Sequence, residues 1–371
     1  MKIFHVYRLA GAATRNTGLL FTLLFTLLVG ACNTSPHKDD TISDAAKKPD
    51  TTQPYNLKYQ DHPLVDKIWD VKHQAFIDKD TLLAHALESD YLLLGETHDN
   101  VYHHQNQAWI LDNLAHSARG KNSAVTFEMI DSVQYTKLNG ISLSSSQQLI
   151  TLLNTEPAGW EYEKYYQPVF NTVIKAGFPI YAASLGREEF MQILRQGEDK
   201  LPDYLKRSIA AAPLSAAQVE MMQHEIESSH CGMIHDKMVE TMLLGQKVRD
   251  AAMSHSLVSH KPAGTGTMVL VSGSGHARKD RGVPHYLQPE SGAASITAIA
   301  WLEVVPEGKQ IEDYAHYWGG ETLPFDYVWF TPMADRPDPC EEMRKYMDKH
   351  KNQHQRQEQD QEQTTPRQQA I

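Results

Sequence analysis

The chain runs to 371 residues, with 46 acidic against 35 basic side chains and a formal net charge of −11 at neutral pH. An acidic balance of this size argues against nucleic acid as a partner, because phosphate backbones bind net-positive surfaces. The length is enough for one sizeable α/β core with an inserted subdomain.

The N-terminus reads as an address. Lys2, Arg8 and Arg15 make a basic start, and an uncharged apolar stretch follows from Gly18 to Val29. That stretch is shorter than the ~20 residues a membrane-spanning helix needs, so a signal peptide over 1–31 is preferred to a retained anchor. Val29-Gly30-Ala31-Cys32 resembles a bacterial lipobox, which implies cleavage before Cys32 and a lipid on its thiol. Each buried methylene of such a chain holds the membrane by about 0.8 kcal/mol. Asn33 is not an aspartate, which points to the outer membrane. Loss of 1–31 removes three positive and no negative charges, leaving the mature chain near −14. Residues 32–61 are rich in Thr, Ser, Lys, Asp and Pro and read as a tether. The Gln-rich, charged tail over 346–371 reads as disordered. Between them lies the core, 62–345. Of the three cysteines, Cys32 is used by lipid. Cys231 and Cys340 are then the one possible pair in a compartment that permits disulfides, and a bond between them is expected.

Within the core the pattern predicts strand Tyr91–Leu94, then a helix over Val101–Ser117 capped by Asp99 or Asn100. Next come strand Ala124–Phe127 ending at Glu128, a helix over Gln167–Ala176 with Pro168 in its first turn, and strand Pro179–Ala183. Ser184-Leu185-Gly186-Arg187 opens another helix. A β-α-β-α-β succession implies parallel strands with right-handed crossovers. From about 200 to 255 no strand is predicted. Ala216–Ser228 and Met233–His255 read as two long helices of an inserted helical subdomain. Strand pattern returns at Thr267–Ser272, Ser295–Val304 and Asp326–Phe330. The fold class is therefore α/β, a parallel-type central sheet flanked by helices with a small helical insertion.

One motif occurs twice. Tyr91-Leu92-Leu93-Leu94 runs into Gly95-Glu96-Thr97-His98, and Met268-Val269-Leu270-Val271-Ser272 runs into Gly273-Ser274-Gly275-His276. Parallel strands deliver both histidines to the carboxyl edge of the sheet, where open α/β folds place their sites. The strand ends together supply Glu96 and His98, then Glu128, then Ser184 and Arg187, then His276, Arg278, Lys279 and Asp280. Glu96, His98, Glu128 and His276 are enough ligands for a divalent metal, and they equally make an acid/base set without one. Plainer roles stand beside these: His98 as a helix cap, His276 bonded to a carbonyl, Glu128 paired with Arg187 or Arg278. His104 shares a helix face with Gln107. His103 cannot share it: one of the two is expected to face the sheet edge and the other solvent, and an ordinary polar helix start is preferred for His103. No Gly-x-Ser-x-Gly elbow accompanies Ser272 or Ser274, so a serine hydrolase ranks third.

These residues resemble the ChaN family of haem-binding lipoproteins. The resemblance rests on Gly95-Glu96-Thr97-His98-Asp99-Asn100 with His104 and Gln107, on Phe127-Glu128-Met129, and on Trp160 with Tyr165 to Pro168. It continues through Arg249-Asp250-Ala251-Ala252-Met253, the block from Gly273 to Pro284, and Phe325-Asp326-Tyr327-Val328. It covers roughly Leu64 to Cys340. It implies a parallel α/β core with a small helical domain in a Gram-negative outer-membrane lipoprotein on the periplasmic side. It also implies iron and haem acquisition, with haem held noncovalently through a tyrosine at a homodimer interface and passed to an outer-membrane haem receptor. Covalent haem is excluded, since no Cys-x-x-Cys-His occurs. Tyr102 is the first candidate ligand, with Tyr135 and Tyr286 as alternatives and His98, His104 and His276 as nitrogen donors. Arg187, Arg278 and Lys279 are candidates for the propionates. The wider superfamily includes Tiki proteases and erythromycin esterases. The runner-up is accordingly a metal-dependent, peptidase-like hydrolase on Glu96, His98, Glu128 and His276. The preferred reading is a lipid-anchored haem carrier rather than an enzyme.

Overall fold

The computed structural model describes residues 56–154 and 159–348. The signal peptide, Cys32, nearly all of the tether and all but the first residues of the C-terminal tail lie outside them.

An eight-stranded sheet organises the chain. In sequence order its strands are β1 (Ile68–Asp70), β2 (Ala75–Ile77), β3 (Tyr91–Glu96), β4 (Ala124–Asp131), β5 (Ile180–Ser184), β6 (Met268–Gly273), β7 (Ile296–Glu303) and β8 (Tyr327–Thr331). Across the sheet they run β2-β1-β8-β7-β3-β6-β4-β5. The six strands from β8 to β5 are parallel. The β1–β2 hairpin is antiparallel and extends that sheet past β8. The expected parallel α/β sheet is therefore present. The hairpin, too short to show a pattern of its own, is an addition.

The strands alternate between two cores, as the period of two requires. Leu92, Leu94, Val269 and Val271 face one helical layer. Tyr91, Leu93, Met268 and Leu270 face the other. Both faces of the central strands are buried, which is why they read as continuous apolar runs. A third, smaller cluster joins Leu205, Val248, Ala251 and Tyr286 in the helical region.

The Val101–His116 helix is capped by Asn100, whose side chain accepts from the Tyr102 N–H. The region from 200 to 255 is helical throughout its regular elements, as expected. A capping box of Ser215 and Gln218 opens Ala216–Ser229, and His235 caps Asp236–Ser259. The second helix begins three residues later than Met233 because His235 takes the cap. Cys231 and Cys340 form the expected disulfide.

Candidate functional site

The two glycine-histidine motifs meet at the carboxyl edge, offset by one residue. Gly95 pairs with Ser272, and Glu96 pairs with Gly273. Each glycine makes room for the other motif. A Cβ on Gly95 would stand 2.8 Å from the Ala277 Cβ and 2.9 Å from the Ser274 Cα, and one on Gly273 would stand 3.0 Å from the His98 ring. The glycines are thus space-makers between two closely packed turns.

Glu96 ends β3 with its carboxylate buried. Its Oε1 accepts from the Tyr166 hydroxyl at 2.7 Å and lies 3.0 Å from His98 Nδ1. Its Oε2 is 3.1 Å from His104 Nδ1. Burial alone pushes this carboxyl up, but the His104 and His98 rings outweigh it and hold it well below the usual range. Both His104 nitrogens face oxygens: Nδ1 also meets Gln107 Oε1 at 3.2 Å, and Nε2 meets the His98 carbonyl at 3.0 Å. His104 is therefore a fixed prop for Glu96.

Glu128 sits inside β4, which continues past Phe127 to Asp131. Its Oε2 accepts the Gly273 N–H at 2.7 Å. Its Oε1 is 3.4 Å from His276 Nε2 and 3.9 Å from His98 Nε2. Burial pushes Glu128 up, yet His276, His98 and the Gly273 amide bring it down to about 2. His276 Nδ1 lies 2.6 Å from Asp250 Oδ1, with Gln246 Nε2 at 3.2 Å. Burial lowers His276, but Glu128 and Asp250 raise it to about 10. Asp250 itself is raised by its burial.

His98 is the opening of this cluster. Its side chain keeps 23% exposure. The Trp160 ring packs edge-on against it at 4.8 Å. Nδ1 is engaged by Glu96, whereas Nε2 lies beyond hydrogen-bond distance of its nearest carboxylate, Glu128. Burial lowers the His98 pKa, and Glu128 and Glu96 raise it further than that.

Glu96, His98, His104, Glu128 and His276 thus come together as the motifs suggested. Glu128 pairs with histidines and a backbone amide, not with an arginine. Most of the remaining candidates are engaged elsewhere. Tyr102 donates its hydroxyl to Asp66 at 2.6 Å, and burial with that contact pushes its pKa up, against tyrosinate formation. Arg278 is buried, and its guanidinium is spent on Asp280, Glu225 and the Trp318 carbonyl. Lys279 pairs with Asp326. Arg187 is exposed at the start of the helix after β5. His103 is buried rather than solvent-facing: it accepts from the Thr97 N–H at 2.8 Å, and its Nε2 lies 2.7 Å from Thr331 Oγ1. A divalent metal finds no support, since among the described residues no three His, Cys, Asp or Glu side chains are arranged to hold one.

Tyr166, Asp250 and Gln246 were not assigned a role by sequence reasoning. Tyr166 and Asp250 lie within the family-like blocks, and Gln246 lies in the second of the two long helices. Nothing local said that these residues pack on Glu96 and His276.

A family model described as haem-binding uptake, Tiki superfamily, ChaN matches residues 82–287. No curated protein matches the sequence. Among solved structures, ChaN of Campylobacter jejuni with cofacially bound haem is 22% identical, with a TM-score of 0.56 over 73% of this chain and 97% of that one. A mutant of the erythromycin esterase EreC in its open conformation is 13% identical, with a TM-score of 0.41 over 70% of this chain and 95% of that one.

Proposed function

The chain belongs to the ChaN haem-binding uptake family of the Tiki superfamily, and we propose that it binds haem at the carboxyl edge of its sheet, where His98 is the side chain that would meet the group. The observation that carries the assignment is the split between the two His98 nitrogens. Nδ1 is held by the buried Glu96 carboxylate, which fixes the ring, while Nε2 lies beyond hydrogen-bond distance of Glu128, its nearest carboxylate. Imidazole nitrogen is an established donor to haem iron. Trp160 adds a half-buried aromatic wall beside it. Tyr102, His104 and His276 would each have to break an existing contact first: Tyr102 with Asp66, His104 with Glu96 and Gln107, His276 with Asp250; burial pushes the Tyr135 and Tyr286 hydroxyls up, against tyrosinate formation. The residues present therefore fit the group. Bound haem would be retained through its iron. The chain orients one nitrogen, shields it, and keeps its partner carboxylate ionised.

Lipid anchoring through Cys32, a periplasmic position at the outer membrane, a homodimer and hand-over to an outer-membrane haem receptor complete the proposal. They are supported by the N-terminal sequence and the family resemblance. The test is a haemin titration of the purified protein followed at the Soret band. Saturable binding that is lost in His98→Ala and kept in Tyr102→Phe is expected. Loss in Tyr102→Phe with retention in His98→Ala would move the ligand to the tyrosine.

A further inference from the structure

We infer that the Asp236–Ser259 helix forms the second wall of the haem cleft, laying Met242 and Met238 against the macrocycle across from Trp160. The inference rests on the reading that haem sits at the carboxyl edge, and it holds whichever side chain meets the iron.

The helix outruns the sheet it covers. Its C-terminal half lies along the strands: Met253 and Leu257 enter the second core, and Ser256 Oγ donates to the Ala182 carbonyl at 2.6 Å. Asp250, 2.6 Å from His276 Nδ1, marks the level of the carboxyl edge. The helix begins at Asp236, so its first half projects past that edge by about 21 Å at the α-helical rise per residue. Trp160 stands at the same edge on the opposite layer, since it packs with the first core and the helix with the second. The strand ends with His98, Glu128 and His276 lie between them. A polar floor between apolar walls suits a large, flat ligand with few polar atoms.

Residues four apart share a helix face. Gln246 Nε2 lies 3.2 Å from His276 Nδ1, so this face of the helix looks onto the site. Met242 and Met238 continue it outward, one and two turns beyond Gln246, and both are half-buried. The projecting half is braced by the Arg187–Gln196 helix. A Cβ on Gly245 would stand 3.2 Å from both Leu194 and Phe190, and the Arg249 guanidinium lies over the Phe190 ring at 4.5 Å. The wall is therefore fixed, while its thioether side chains are flexible and polarisable enough to follow an aromatic face.

The test is the double variant Met238→Gln with Met242→Gln, titrated with haemin and with metal-free protoporphyrin IX. Glutamine keeps the length and the helix preference of methionine and removes the apolar contact. Both ligands should bind at least about tenfold more weakly, because burying one such side chain is worth that factor or more. The Soret position of bound haemin should not move, since the contact is with the ring. Met242→Leu, which keeps the apolar surface, should stay within about threefold of wild type. Wild-type affinity for both ligands in the double variant overturns the inference. So does a loss confined to haemin with a displaced Soret band, which would place the effect at the iron. If protoporphyrin IX binds wild type too weakly to follow, haemin decides alone, and wild-type affinity in the double variant refutes the wall. If the double variant does not fold, Met242→Gln is read by the same criteria. A wild-type chain that binds neither ligand removes the premise instead, and that outcome is seen before any variant is made.

Discussion

At the residue scale, the site is a chain of charges buried as pairs. Burying a lone carboxylate or imidazolium is costly, and pairing with good hydrogen bonds is what permits it. Glu128 and His276 carry the arrangement furthest, and their shifts define a pH window. Glu128 is depressed from 4.5 to about 2. Its contribution is present above its unfolded value and lost as pH falls towards about 2. His276 is raised from 6.5 to about 10. Its contribution is complete below 6.5 and lost as pH rises towards about 10. Stability should therefore hold level between about pH 4.5 and 6.5 as far as these two groups govern it, and decline on both sides. Asp250→Asn removes one of the two carboxylates that raise His276, so the alkaline decline should end at lower pH. Urea midpoints from about pH 6 to 10 test this: superimposable profiles for wild type and Asp250→Asn contradict it.

At the element scale, the parallel strands were legible because both faces of each are buried and each stops at a polar or glycine residue. The placement of Glu96, His98, Glu128 and His276 at one edge followed from that. What was not legible depends on contacts far apart in the chain. A mid-helix Asp250 looks like any polar helical residue until the helix packs on β6 and meets His276. Tyr166 lies on a single irregular turn, Tyr162–Tyr166, with no period to read. The glycine spacing showed a turn, but the register was needed to show that each glycine clears the other motif. His103 misled for a related reason: helical spacing says two adjacent histidines diverge, not that both directions are buried. Asn100 is an element whose position was legible and whose second task was not. It caps the Val101–His116 helix, and its Nδ2 also donates to Glu303 Oε1 at 2.8 Å and the Pro332 carbonyl at 2.9 Å. Asn100→Ala should cost about 2–3 kcal/mol, more than the ~1 kcal/mol of a cap alone, because the buried Pro332 carbonyl and Glu303 each lose a donor. Asn100→Asp keeps the cap and sets a carboxylate against Glu303, so it too should destabilise. Denaturant midpoints measure both. An Asn100→Asp protein as stable as wild type would show that the cap is the whole role.

At the scale of the whole molecule, the helical region is tied to the sheet at two kinds of joint. One is apolar and polar packing through the Asp236–Ser259 helix, which carries Asp250 to the site and Met253 and Leu257 to the second core. The other is peripheral. The Ala216–Ser229 helix buries little beyond Met222 and Ser229. It is held by Glu225 to Arg278 and Arg281, and the Cys231–Cys340 bond anchors the turn that follows it. That bond links residues separated by 109 positions. A loop of this length is worth roughly 4.7 kcal/mol in the chain-entropy picture, and removal of a native disulfide costs about 2–5 kcal/mol. The two joints predict different consequences. Cys231→Ser with Cys340→Ser should lower global stability by an amount in that range and raise hydrogen exchange in the Ala216–Ser229 helix. The haemin affinity should stay near wild type, because the contacts of Glu96, His98, Glu128 and His276 do not pass through either cysteine. If the double variant loses haemin binding while its circular dichroism is native, the peripheral joint is part of the site, and the division of labour between the two joints is wrong.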